Sequence, residues 1–343
     1  MSETQIRKSE HLMICLEKDV ETPGTWLEDV IFVHQSLPEM SLDEIDTSIN
    51  FFGKKLAMPL LIAAITGGTE EAKEINKNLA KVAQKKQIGL GLGSQRAMIE
   101  KPELKETYYV RDVAEDILLF GNIGIAQIRS FSIDQIENAL ESIGADGLCV
   151  HINPAQELFQ KKGDYDFRKC LSSLSDLCKE LKYPVIAKEV GNGISRESAL
   201  KLKEAGVKAI DVGGMGGSNW ILIDSLRSGK DCTNFKYWGI PTACSILEAK
   251  VGLPIIATGG IRTGLDIAKA IALGADLCGI ALPFLRILKK DGVEGLEKYV
   301  DKLHEELKMA MFLTGCRNIQ ELKKAKYVLT GRIKNWVEAR KII

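Results

Sequence analysis

From residue 60 onward the chain repeats one theme: a short apolar run ends in small or polar residues, and a longer amphipathic segment follows. The apolar runs are 60–65, 88–92, 117–120, 147–150, 184–187, 209–212, 254–257 and 277–281. Short apolar runs bounded by turn signals suit strands buried on both faces of a parallel sheet. Between them, segments 71–86, 133–143, 167–181, 196–205, 242–251 and 265–273 carry apolar residues near helical spacing. Ser195 and Thr263 stand where N-caps belong, and Gly206 and Gly274 where helices stop. Eight strands alternating with helices predict an α/β fold, a (β/α)8 TIM barrel. A doubly wound open sheet competes, but it would place one glycine-rich fingerprint after its first strand. Here small and polar residues follow nearly every run. Residues 1–55 fall outside the pattern and read as an N-terminal extension, a charged helix-like stretch followed by a loop at Pro23–Gly24. Residues 293–326 read as a C-terminal helical region broken near Gly315. The predicted organisation is an extension over 1–55 and a barrel with C-terminal helices over 56–343.

Composition narrows the class. The 343 residues are 45% hydrophobic and 27% charged, which excludes a disordered chain, a collagen or a coiled coil. Lys plus Arg and Asp plus Glu both number 46. With no basic excess, nucleic acid is not the expected partner, and an anionic ligand must be held by a local cluster. Eight cysteines without a Cys-x-x-Cys pair fit reduced thiols in a cytoplasmic protein rather than a disulfide framework or a zinc site. The longest apolar run, 56–65, is about half the ~20 residues a membrane helix needs. The charged N-terminus lacks an apolar signal core, so neither secretion nor a membrane is expected.

In a barrel, the residues just after each strand form the active-site face. Here they are Thr66-Gly67-Gly68, Ser94-Gln95-Arg96, Asn122, His151 with Asn153, Lys188, Gly213-Gly214, Gly259-Gly260 and Ala281-Leu282. The strongest local signal is Thr258-Gly-Gly-Ile-Arg-Thr-Gly264, followed by a helix and then by Gly279-Ile-Ala-Leu-Pro283. Glycines let the backbone approach an anion, helix-start N–H groups bind phosphate oxygens, and Arg262 can add a charged bond. A plain turn that needs glycines for its geometry is the bland alternative. The cluster Gly213–Ser218 is weak alone but, beside the first, suggests a longer phosphate-bearing cofactor.

These loops resemble barrels that bind flavin mononucleotide (FMN). Within that group the chain resembles the type 2 isopentenyl-diphosphate isomerases, from residue 7 to about 331. The matching motifs are Arg7-Lys-Ser-Glu-His11, Thr66-Gly-Gly-Thr69, Gly93-Ser-Gln-Arg96, Gly121-Asn-Ile-Gly124, His151-Ile-Asn-Pro-Ala-Gln-Glu157, Lys188-Glu-Val-Gly191, Asp211-Val-Gly-Gly214 and Trp238-Gly-Ile-Pro-Thr242. The His151–Glu157 motif and the Arg7-Lys8 pair discriminate; the glycine loops are shared with many flavin barrels. The resemblance implies flavin contacts at Ala64, Ile65, Thr66, Ser94, Asn122, Lys188, Ser218, Gly259, Gly260, Arg262, Ala281 and Leu282. It implies substrate contacts at Arg7, Lys8, Ser94, Gln95, Arg96, His151, Asn153 and Gln156, magnesium at Glu157, and catalytic roles for Lys188, His151 and Gln156. Ile65 stands where Met is frequent, and Ser218-Asn-Trp220 where Thr-Asn-Phe is frequent.

The implied activity interconverts isopentenyl and dimethylallyl diphosphate, with reduced FMN as the acid–base group, Mg2+ on the diphosphate and NADPH or NADH as flavin reductant. A homo-oligomer, tetramer or octamer, is expected. Read from the residues alone, several positions keep two meanings. Lys188 is either a stabiliser of charge on a reduced flavin or a strand-end lysine reaching solvent. Glu157 is either a magnesium ligand, since Mg2+ is commonly held by one or two carboxylates plus phosphates, or a solvated carboxylate. Arg7 and His11 share a helical face at i, i+4, and without the resemblance a solvated charged helix is the simpler reading. His34 and His304 carry no motif, and Lys323-Lys-Ala-Lys326 reads as a solvated helix face. The alternative activities are an FMN-dependent oxidoreductase of the 2-hydroxy-acid oxidase kind and an inert phosphate-ligand barrel. The oxidase needs a base near the flavin, commonly a late histidine, and after His151 only His304 remains.

Overall fold

The apolar runs become the eight strands of a closed barrel in a computed structural model that describes residues 3–342. They are β1 (Leu60–Ile62), β2 (Gly89–Gly91), β3 (Leu119–Gly124), β4 (Gly147–Ile152), β5 (Val185–Glu189), β6 (Ala209–Asp211), β7 (Ile255–Thr258) and β8 (Leu277–Ile280). Each pairs in parallel with the next, and β8 closes on β1 with Ile280 opposite Ile62. The predicted helices follow, with Ile133–Ile143 at the expected limits and the others within a few residues of theirs. Ser195 and Thr263 cap as expected, accepting the N–H of Ser198 and Asp266. Gly206 and Gly274 follow their helices at φ 97° and 123°, where a side chain would be strained.

Strand alternation sorts the side chains. On β4, Leu148 and Val150 face the helices, while Cys149 faces the barrel interior. The interior floor is apolar: Leu61, Phe120, Cys149, Ile186, Ala209, Ile256 and Leu277. Two residues further along, the same alternation sets a second tier facing the mouth. On β3 to β7 it is polar, with Asn122, His151, Lys188, Asp211 and Thr258. On β8 and just after β1 it is small, with Gly279 and Ala63.

The extension wraps both ends of this barrel. A hairpin of Ile49–Phe51 and Lys54–Leu56 plugs the bottom, turning through Phe52 and Gly53, both at positive φ as in a two-residue type I′ turn. Phe51 packs on the apolar floor, and the Phe52 ring meets Phe120 edge-on. The hairpin straddles residue 55, so extension and barrel share one packed body. The helix Glu3–Glu17 lies across the opposite end, where Leu12 and Cys15 pack on Ile223, Leu282 and Leu285. Between them, Val30–Phe32 pairs antiparallel with Tyr327–Leu329.

The C-terminal part departs from expectation. Its long helix starts at Leu282, is interrupted at Gly292 and ends at Leu313; Gly315 then turns the chain at φ 72°. The strand at 327–329 and the helix Gly331–Arg340 were not anticipated. Lys323–Lys326 is not a solvated helix face. Lys323 pairs with Asp276, and the Lys326 carbonyl accepts the Val33 N–H. Among the described residues the eight cysteines are free thiols, and no helix is long and apolar enough to cross a membrane.

Candidate active site

The second tier, Asp211 aside, forms the floor of a deep cleft at the C-terminal end of the barrel, roofed by the helix Glu3–Glu17. The register lines up its chemistry: His151 is opposite Lys188 across β4 and β5, and Lys188 opposite Asp211 across β5 and β6. Lys188 Nζ is buried, 2.9 Å from Asp211, 3.1 Å from the Glu189 carbonyl and 3.4 Å from Thr258 Oγ1. His151 Nδ1 lies 2.8 Å from Asn122 Oδ1, an acceptor, so the imidazole proton sits on Nδ1 and Nε2 keeps its lone pair. Burial, then the cations Lys188, Arg7 and Lys8, push the His151 pKa down to about 4. The Glu189 carboxyl points away from the cleft and takes four backbone N–H bonds, from Val190 to Gly193. They hold a loop whose Val190 and Gly191 line the cleft.

One end of the cleft is built from backbone. Gly259 and Gly260 hold φ of 105° and 76°, and a Cβ on Gly260 would lie 2.1 Å from the Gly216 carbonyl. The long helix opens here at Leu282 behind Ala281, with no side chain capping its first N–H groups. Arg262 lines the same end and pairs with Glu21, which also lies 3.3 Å from Arg286. Uncapped helix N–H groups, bare glycine backbone and the Arg262 guanidinium suit a phosphate. Beside them, Ala63 and Gly279 clear room for a flat ring system, with Ala64, Ile65, Thr66, Ser94, Asn122, Lys188 and Ser218 around it. This donor set fits FMN.

The other end is a cation cluster beside one carboxylate. The helix Glu3–Glu17 puts Arg7, Lys8 and His11 into the cleft, so this charged face is not solvated. Lys8 Nζ donates to the Ser94 carbonyl at 3.0 Å and to Tyr108 Oη at 2.8 Å. Burial and the neighbouring Arg7 pull the Lys8 pKa down to about 7. Arg7 is also held below the ordinary guanidinium value, by burial and by Arg96 and Arg227, with Glu157 opposing. Glu157, 5% exposed, accepts from Asn153 Nδ2 at 3.0 Å on one oxygen. On the other it accepts from Gln160 Nε2 at 2.7 Å and the Asp164 N–H at 2.8 Å. Among the described residues no group of three His, Cys, Asp or Glu side chains could hold a metal alone. Glu157 lines the cleft together with Asp164, and one or two carboxylates fit Mg2+ carried mainly by substrate phosphates and water.

Of the predicted site residues, Gln95 is not brought to the cleft. Its side chain turns into the barrel wall, where Oε1 accepts the Asn122 N–H at 3.0 Å. The other predicted residues line the cleft. Sequence reasoning missed Asp224, fully buried, which receives Gln156 Nε2 at 2.9 Å and lies 3.0 Å from His11 Nε2. It thereby ties the roof to the substrate end. An acid inside the apolar run 221–223 onward was the available signal, since a buried carboxylate must be paired. Gln160 and Glu21 gave no comparable signal.

Comparison with known proteins agrees with this geometry. Residues 135–329 match the FMN-dependent dehydrogenase family. The isopentenyl-diphosphate delta-isomerase of Thermococcus kodakarensis is 47% identical, over 98% of this chain and 94% of that one. That of Archaeoglobus fulgidus is 46% identical, over 98% and 99%. Among solved structures, a mutant flavocytochrome b2 with pyruvate bound superposes with a TM-score of 0.69 at 19% identity, covering 93% of this chain and 83% of that one. A mandelate oxidase with 3,3-difluoro-2-hydroxy-3-phenylpropionic acid gives 0.65 at 18%, covering 94% and 95%. These two share the barrel fold. Fold and site thus define a flavin barrel of the FMN-dependent dehydrogenase family. Within it, the chain belongs to the type 2 isopentenyl-diphosphate delta-isomerases.

Proposed function

We propose that this enzyme interconverts isopentenyl diphosphate and dimethylallyl diphosphate without net redox change. The observation that carries the reading is the convergence of Arg7, Lys8 and Arg96 on one end of the cleft, where Arg96 and Lys8 each crowd Arg7 or are crowded by it. Like charges this close call for a polyanion, and a diphosphate supplies it. Arg7, Lys8 and Arg96 bind the diphosphate, with Ser94, Asn153 and Gln156 orienting it and Glu157 holding Mg2+ against it. Reduced FMN, when bound, supplies the acid and base that move the proton across the allylic unit. Lys188 sets charge beside the flavin ring, and neutral His151 accepts hydrogen bonds without adding a cation next to the alkene. The roof helix excludes water, and binding energy from the remote diphosphate positions the unreactive alkene. NADPH or NADH keeps the flavin reduced. The enzyme works in the cytoplasm as a homo-oligomer, a tetramer or octamer.

A hydroxy-acid oxidase on the same barrel is disfavoured because the late histidine does not line the cleft. His304 lies at the opposite end, bonded 2.8 Å from Thr47, whose hydroxyl donates to the Ala57 carbonyl just ahead of β1. The deciding experiment reduces the holoenzyme once, anaerobically, and supplies isopentenyl diphosphate in deuterated buffer. Many turnovers per reduction, with solvent deuterium in the product, are expected; one NADPH or NADH consumed per product overturns the isomerase. For the metal, Glu157→Gln keeps shape and removes charge. It should weaken the magnesium dependence of substrate binding about tenfold with flavin content unchanged, and unaltered magnesium titrations would remove Glu157 from the site.

A further inference from the structure

The polar tier holds an ion pair of which the proposed chemistry uses only one half. Asp211 ends β6, is 1% exposed and does not itself line the cleft. One of its oxygens lies 2.9 Å from Lys188 Nζ. The other accepts the Thr258 hydroxyl and, at 3.3 Å, the Gly213 N–H. Lys188 and Asp211 are register partners on adjacent strands, so backbone pairing brings them together. The other two contacts of the ammonium, the Glu189 carbonyl and the Thr258 hydroxyl, are neutral. Among the described residues Asp211 is therefore the one carboxylate in ion-pair distance of Lys188. Thr258 and Gly213, both on the cleft lining, hold the carboxylate's second oxygen, so Asp211 is fixed beside the ammonium. In a buried wall, a counter-charge this close cancels much of the ammonium's field on the cleft side.

Resting on the flavin reading, we propose that Asp211 is a positioning residue: it pins the Lys188 ammonium against the barrel wall and limits how much positive charge that ammonium presents to bound FMN. Two-electron reduction adds negative charge to the flavin. The charge of the wall therefore sets the balance between the reduced and oxidised forms, and Asp211 and Lys188 act on it in opposite senses.

The test is the midpoint potential of the flavin in the purified holoenzyme, read as the reduced-to-oxidised ratio against a reference dye during anaerobic reduction. Asp211→Asn keeps the shape and removes the charge. It should raise the ratio at a fixed potential about tenfold, about 30 mV for a two-electron couple. Lys188→Met should lower it. In the Lys188→Met background Asp211→Asn should raise the ratio less, because no ammonium remains for the carboxylate to hold. An unchanged or lowered ratio in Asp211→Asn, or an equal rise in both backgrounds, overturns the proposal. Should Asp211→Asn not fold, Thr258→Val serves instead. It removes the hydroxyl that shares the carboxylate's charge, and the ratio should fall; no change overturns the proposal. Wild-type protein that takes up no FMN overturns the flavin reading as well, whereas bound FMN whose ratio ignores Asp211 overturns this proposal alone.

Discussion

His151 shows how much of a residue's chemistry its neighbours decide. In water an imidazole titrates near ~6.5; here burial and three cations hold it down to about 4. The folded protein binds this proton more weakly than the unfolded chain, so His151 stays neutral as pH falls from ~6.5 to about 4, and its contribution to stability is lost across that window. Two changes should reverse the depression. Lys188→Met removes a named cause, and a bound diphosphate offsets Arg7 and Lys8. Both are expected to raise the His151 pKa by about one unit, which NMR titration of the imidazole would read. A His151 resonance indifferent to both would show that burial alone sets its protonation. Gln95 marks the opposite lesson at this scale. It stands between two cleft residues, Ser94 and Arg96, yet serves the wall, because its amide oxygen takes up the Asn122 N–H.

At the scale of elements, the roof helix depends on a small apolar contact. Leu12, 4% exposed, packs with Cys15 on Ile223, Leu282 and Leu285. Leu12→Ala should cost about 2–3 kcal/mol of docking, raising KM for the diphosphate at least tenfold while flavin absorbance stays. Unchanged KM would mean that the helix is seated by His11 and Asp224 instead. This helix also marks where sequence reading stops. Its buried face is cationic, so Arg7, Lys8 and His11 look like a solvated face until the barrel mouth is placed beneath them. The strands were legible because each buried run sits between turn signals, and the tier of Asn122, His151, Lys188 and Thr258 follows from counting two beyond the apolar floor. On β3 the run at 117–120 ends early, since Gly121, Asn122 and Gly124 hide the strand's continuation to Gly124. The strand at 327–329 was illegible because its partner lies near the other end of the chain.

For the whole molecule, stability gathers where distant segments meet. Glu248, buried on the helix Thr242–Glu248, accepts from Trp336 Nε1 at 2.9 Å, Arg340 Nε at 2.8 Å and the Arg196 N–H at 2.9 Å. It therefore anchors the helix Gly331–Arg340 to the barrel's outer layer. Breaking a buried ion pair costs about 3–5 kcal/mol; with Arg340 partly exposed, Glu248→Ala should cost about 2 kcal/mol, measured by denaturant unfolding of the holoenzyme. A loss within ~0.5 kcal/mol would show that apolar packing of Ile333 and Val337 holds the helix unaided.

The pairing of Val30–Phe32 with Tyr327–Leu329 has a consequence for how the enzyme is made. The segment behind the roof helix is fastened by late residues. Arg286 donates to the carbonyls of Cys15 and Lys18, and the Thr330 N–H donates to that of Asp29. During translation the first cations of the substrate site emerge from the ribosome long before anything can seat them. A nascent chain can pair its first strands and still lack a working roof, so the capacity to hold a diphosphate waits for the stretch that carries Leu282, Leu285 and Arg286.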